Sequence, residues 1–257
     1  MTTKLAAPTG AAFFTTQIGL WLHLTSRAID HLHAIQDDGF DYVLVKIADG
    51  ASAYHPDDAR RLVKDAGAIK LGVAAWCYVY PRNIVATIQA IVASIPPGVT
   101  ELVVDAEKEW EEYCAANGAE AAKKLADQLM SGIAAATGHR VNLHLSSFWS
   151  PSIHSQIPYK AFASHCATWQ PQAYYAPGSK RTPASILAGS LSEGAVLSVS
   201  CMGRACVATI NDTAFLPTLK ARGIKGFSVY VWDPEGDAAV SINPQKWKAA
   251  IAAFRAS

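Results

Sequence analysis

The sequence predicts a single-domain (β/α)8 barrel of the TIM type, and three observations lead there. Short apolar runs alternate with helical stretches along the whole chain, eight of each. The length of 257 residues is typical of one such barrel, and 51% apolar residues can fill its core. No Gly-rich phosphate loop of the kind that opens a nucleotide-binding sheet is present.

The elements follow in order, with residues 1–257 forming one domain and 1–16 an N-terminal extension. That extension holds one lysine and no apolar run long enough for a signal peptide or a membrane span. Residues 17–24 form the first strand; Ser26 then caps a helix over 27–38 that Gly39 stops. The second strand, 41–48, leads through Asp49-Gly50 to a helix over 56–66 that starts with Pro56, a residue suited to the first helical turn. The third strand, 71–79, ends at Pro81 and is followed by a helix over 83–94. Pro96-Pro97-Gly98 is a turn, because apolar periodicity resumes directly after it. The fourth strand, from Glu101, is followed by a long helix over 119–137 closed by Gly138. Residues 140–146, 168–174, 195–200 and 225–232 supply strands five to eight, and 244–255 the last helix.

The fourth strand carries the most informative residues. Side chains alternate along a strand, so Val103, Asp105 and Glu107 share a face while Val104 and Ala106 take the other. Two carboxylates about 6.6 Å apart at Cβ raise one another's pKa, and one can stay protonated as an acid near neutrality. Acidic strand ends also serve solubility or helix capping. An apolar strand, however, has little structural use for two acids on one face.

Chemistry in such barrels sits at the C-terminal ends of the strands. Those ends are aromatic and polar here: Trp21 and His23; Lys46 and Asp49; Trp76, Tyr78 and Tyr80; Asp105 and Glu107; His144, Ser146 and Trp149; Gln170, Gln172 and Tyr174; Tyr230, Trp232 and Asp233. Aromatic faces stack on sugar rings while carboxylates and amides bind hydroxyls, so this composition suits a carbohydrate. Parity limits the set, since Trp76 and Tyr78 face one way and Cys77 the other. His23 and His144 are the only histidines at strand ends, and each serves equally well as a hydrogen-bonded wall residue.

Other classes are disfavoured. Lysine and arginine are scattered and the net charge is +1, which argues against nucleic acid, and nothing indicates a membrane partner. Five cysteines, Cys77, Cys114, Cys166, Cys201 and Cys206, suit reduced thiols rather than a disulfide framework. No matched pair of Cys or His ligands calls for a metal, no cofactor is expected, and no Gly-x-Ser-x-Gly elbow supports a serine hydrolase.

On these residues the sequence resembles the family 25 glycoside hydrolases, lysozyme-like barrels of phage endolysins and bacterial autolysins. Ile18-Gly-Leu-Trp-Leu-His23 stands where that family opens with Gly-Ile-Asp-Val-Ser. Gly39-Phe-Asp-Tyr-Val-Leu-Val-Lys-Ile-Ala-Asp-Gly50 is similar to its second strand, Val104-Asp-Ala-Glu107 to its Asp-x-Glu strand, and Val141-Asn-Leu-His-Leu-Ser-Ser-Phe-Trp149 to its fifth. The similarity spans about residues 17–175. The family 18 chitinase-like barrels also pair acids on strand four and place a Trp at the end of strand eight, but their full Asp-x-x-Asp-x-Asp-x-Glu motif is absent.

The resemblance implies hydrolysis of N-acetylhexosamine linkages in peptidoglycan or a chitin-like polysaccharide. Glu107 would be the general acid, and Asp105 would steady the substrate's acetamido group as internal nucleophile. Trp21, His23, Asp49, Trp76, Tyr78, His144, Gln172, Tyr174 and Trp232 would hold the sugar, with Asp233 a further acid. Synthesis in the cytoplasm without a signal peptide, then release onto the cell wall, would follow. Trp21 stands where family 25 has an aspartate. The alternative is therefore a barrel without catalysis, a carbohydrate-binding or structural module of a phage or secretion assembly.

Overall fold

A computed structural model describes residues 11–23, 25–176, 178–196, 209–232 and 244–256. Its strands are β1 (Ile18–Leu22), β2 (Tyr42–Asp49), β3 (Ser52–Ala53), β4 (Gly72–Tyr78), β5 (Glu101–Asp105), β6 (Asn142–Phe148), β7 (Thr168–Ala173), β8 (Thr209–Ile210) and β9 (Phe227–Trp232). All but β3 pair in parallel, and β1 pairs with both β2 and β9, which closes an eight-stranded barrel. The short β3 folds back antiparallel on the end of β2.

Helices interleave with the strands. They are α1 (Ala11–Thr16), α2 (Thr25–Ala28), α3 (Leu32–Asp37), α4 (Pro56–Ala68), α5 (Ile84–Ser94), α6 (Lys108–Asn117), α7 (Ala119–Ala136), α8 (Tyr159–Ala163), α9 (Pro183–Val196), α10 (Leu216–Ala221) and α11 (Pro244–Arg255). Strand alternation divides the apolar residues into two sets. Leu20, Val43, Val45, Cys77, Val104, Leu145, Trp169 and Val229 face outward and pack with helix residues such as Leu62, Ile91, Leu129 and Ile251. Trp21, Tyr42, Leu44, Ala74, Trp76 and Val103 fill the lumen.

Residues 1–16 read as an extension outside the barrel, yet α1 seals its N-terminal end. Phe14 is fully buried there, its ring 4.4 Å from that of His144 and 5.3 Å from that of Tyr42. Gly226 is required at this junction, because a Cβ would run into the backbone of Phe14 to Thr16. A Cβ at Gly19 would likewise overlap the Tyr42 ring.

One strand differs from expectation. Ala195 and Val196 end helix α9, and residues 197–200 lie outside the described residues. The Ala- and Leu-bearing stretch before them carries the helix through, and the edge between Gln172-Ala173 and Ser228-Val229 is filled by Thr209-Ile210. Cys77, Cys114 and Cys166 are buried free thiols, whereas Cys201 and Cys206 lie outside the described residues.

Candidate active site

Asp105 ends β5, and Glu107 stands two residues on, at the start of α6. Register places Asp105 beside Tyr78 on one side and Ser146 on the other. From β7, Gln172 reaches across: its Nε2 donates to Asp105 Oδ1 at 2.9 Å and to Glu107 Oε1 at 2.7 Å. The same nitrogen lies 3.3 Å from Ser146 Oγ. One amide therefore gathers both carboxylates at the C-terminal rim, and neither makes an ion pair among the described residues.

Burial raises both carboxyls above their ordinary values. For Asp105, 6% exposed, the negative charge of Glu107 adds to burial, while hydrogen bonds from Ser146 and Gln172 and the charge of Lys46 oppose it. For Glu107, burial is the largest cause, opposed by the Gln172 hydrogen bond and reinforced by the charge of Glu109. The negative charge of each carboxylate disfavours ionisation of the other, so the two titrate as a unit and the last proton is held above the ordinary carboxylate range.

Tyrosines surround the pair. Tyr174 and Tyr230 stack at 5.2 Å, and Tyr78 donates to Glu109 Oε2 at 2.7 Å. Burial, together with neighbouring carboxylates, raises all three phenols, Tyr230 to about 12. They stay protonated and offer hydroxyls beside aromatic faces. Lys46, Tyr230, Ser146 and Glu109 had no role in the sequence-derived site. The first three were visible as strand-end residues, and Glu109 only as part of the acidic run after Glu107.

Two bulges re-aim the rim. On β2 an extra residue lies between Lys46 and Ala48, so Asp49 returns to the side of Lys46 and the two pair at 2.7 Å. Hydrogen bonds from Lys46 and from Tyr80, the latter at 2.8 Å, outweigh burial and hold the Asp49 carboxyl below its ordinary value. On β9 the register slips between Val229 and Trp232 against Leu20 and Leu22. Strict alternation would put Trp232 in the lumen with Ser228 and Tyr230; the slip sends it to the outer layer, 5% exposed, with its ring 5.3 Å from that of His31.

The expected sugar-binding set therefore divides. Gln172, Tyr174 and Tyr78 gather at the acids. Asp49 stands at the edge with Lys46, and His23 is exposed just beyond β1. Trp21 and Trp76, 1% and 4% exposed, are packed lumen rather than open wall, with Trp21 Nε1 donating to Ser228 Oγ at 2.8 Å. His144 does not reach the rim, because it sits early in β6 and is sealed at the floor by Phe14. Trp232 faces the helices. Asp233 lies outside the described residues. Among the described residues no group of three or more His, Cys, Asp or Glu stands together as metal ligands.

The sequence matches no protein-family model and no curated protein. Solved structures with the same barrel do match. The PgaB (BpsB) glycoside hydrolase domain from Bordetella bronchiseptica aligns at 9% identity with a TM-score of 0.60, over 89% of this chain and 99% of that one. Dihydrodipicolinate synthase from Aquifex aeolicus aligns at 13% identity and 0.56, over 95% and 76%. The Cpl-1 endolysin complexed with a peptidoglycan analogue aligns at 13% identity and 0.44, over 64% of this chain; the match spans 45% of the endolysin. A glycoside hydrolase and a synthase on one fold show that what is shared is architecture, and the chemistry rests on the rim.

Proposed function

We propose that the chain hydrolyses a glycan at an N-acetylhexosamine linkage, with peptidoglycan the leading substrate. The observation that carries this is the coupled pair Asp105 and Glu107, held by one nitrogen of Gln172 and ringed by Tyr78, Tyr174 and Tyr230 at the barrel rim. Glu107, the more exposed of the two, protonates the glycosidic oxygen. Asp105, deeper and beside Ser146, accepts the N–H of the substrate's acetamido group and steadies the charge that develops as its carbonyl oxygen attacks the anomeric carbon. Acids close together on one side of the bond suit this substrate-assisted route, a recognised exception to the scheme in which two carboxylates flank the bond. The shared proton must sit on Glu107 when the sugar arrives. Donation from the acetamido N–H favours an ionised Asp105 and drives it there.

A second reading has its own observation. Trp21, buried and hydrogen-bonded to Ser228, fills the position where the resembled family carries an acid, so β1 supplies no carboxylate. A glycan-binding barrel without turnover would have that feature. Reducing-sugar release from purified peptidoglycan and from chitin decides between them. Release supports the hydrolase, and binding without release supports the module.

A further inference from the structure

A third carboxylate stands beside the acid pair and has no task in the reaction proposed above. Glu109 lies in the first turn of α6, two residues beyond Glu107 and half-buried, and its Oε2 accepts the Tyr78 hydroxyl at 2.7 Å. Glu107, at the cap position of that helix, makes no side-chain bond to the helix N–H groups, so its carboxyl is left to meet Gln172. The Tyr78 hydroxyl faces both glutamates. A phenol has one hydrogen to give, and Glu109 takes it.

The surroundings of the two acids are therefore unequal. Burial favours the proton on both, and more so on Asp105, the deeper of the two. Against burial, Asp105 receives hydrogen bonds from Ser146 and Gln172 and the positive charge of Lys46 on β2, all of which favour its carboxylate. Glu107 has the Gln172 hydrogen bond and the positive charge of Lys108, but the negative charge of Glu109 opposes them. Tyr174, just beyond β7, and Tyr230 on β9 face the pair as neutral phenols. Burial alone would leave the last proton of the pair on Asp105, and Glu109 works against that.

We propose that Glu109 is a positioning residue for the acid: by taking the Tyr78 hydrogen bond and setting its own charge beside Glu107, it directs the last proton of the pair to Glu107, the carboxyl that must deliver it to the glycosidic oxygen. This role rests on the glycan reading, and Glu109 itself gives up no proton in it.

The test follows the Glu107 side-chain carboxyl by carbon-13 NMR across pH, with no glycan present, and sets it beside the pH profile of reducing-sugar release from purified peptidoglycan. Glu109→Gln keeps the shape and can still accept from Tyr78 but carries no charge. The Glu107 midpoint should fall by about one pH unit, and the alkaline limb of kcat/KM should move down with it, lowering kcat/KM about tenfold above the wild-type midpoint. Glu109→Asp, which restores the charge, should return both toward wild type. Tyr78→Phe, which removes the contested donor, should move the Glu107 midpoint the other way. An unmoved Glu107 midpoint in Glu109→Gln overturns the role, and so does a variant in which only the melting temperature drops, as a helix-dipole contribution alone would give. Wild-type protein that releases no sugar at any pH defeats the glycan reading, and the carboxyl titration, which needs no glycan, still decides whether Glu109 directs the proton.

Discussion

The two ends of the lumen both bury carboxylates, and they treat them in opposite ways. At the floor, Glu101 Oε2 meets His144 Nε2 at 2.8 Å, while Oε1 accepts from Asn142 at 3.0 Å and Thr100 at 3.2 Å. The far nitrogen of His144 is satisfied by the Thr168 hydroxyl at 2.8 Å. At the rim, Asp105 and Glu107 face one another and share a single amide nitrogen. Glu101 is matched by a histidine and two further donors, whereas the rim acids, held by Gln172 with help from Ser146 and Tyr78, are set against one another's charge. The same side-chain chemistry thus closes the N-terminal face and leaves the acids proposed to react at the C-terminal face, the usual division in such barrels.

Substitutions at each end sharpen the contrast. Glu107→Gln should lower glycan cleavage by about 10²- to 10⁴-fold, because glutamine has no proton to deliver, with unfolding unchanged. Equal cleavage rates for variant and wild type would remove Glu107 as the acid. His144→Ala should do the reverse. It removes a buried hydrogen bond to the Glu101 carboxylate, costs about 1.5–3 kcal/mol in urea denaturation, and leaves turnover per folded molecule intact. Gln172→Leu removes a donor to two charged groups, and should slow turnover by an amount equivalent to about 1.5–3 kcal/mol with a smaller effect on folding.

Asp105→Asn probes the contrast through pH. Burial holds the Asp105 carboxyl above its ordinary value, so the folded state binds this proton more tightly, and stability falls as pH rises through the raised value. The variant should therefore melt higher than wild type near neutral pH and lose that gain in acid, where the wild-type carboxyl is already protonated, while turnover drops. His144 has the opposite sign, because burial holds its imidazole below the ordinary value. The stability it confers is present above the ordinary imidazole range and is lost as pH falls through it. A melting profile of His144→Phe across the same range should lack that acid-side loss.

Much of this was legible in the residues. Asp105 and Glu107 lie at one site because a two-residue spacing gives one face, and seven of the eight barrel strands fall where apolar runs predicted them. What failed did so for local reasons. Trp232 has the right type and place for a sugar platform, but a one-residue slip in β9 turns it outward, and no residue pattern marks that slip. Asp49 came to Lys46 by the same device on β2. His144 looked like a strand-end residue because β6 begins later and runs further than the apolar run suggested, to Phe148. The helix that seals the floor was missed because six residues are too short for a periodic signal.

The seal of α1 against Gly226 also orders events in time. Synthesis delivers Phe13 and Phe14 long before β9, yet the surface they occupy includes Gly226 beside β9, and β1 itself pairs with Phe227–Trp232. Helix α1 therefore has no finished seat until β9 emerges. Closing a contact across about 200 residues is slow compared with forming neighbouring βα units. A chain stopped before β9 leaves Phe13 and Phe14 without the surface that buries them.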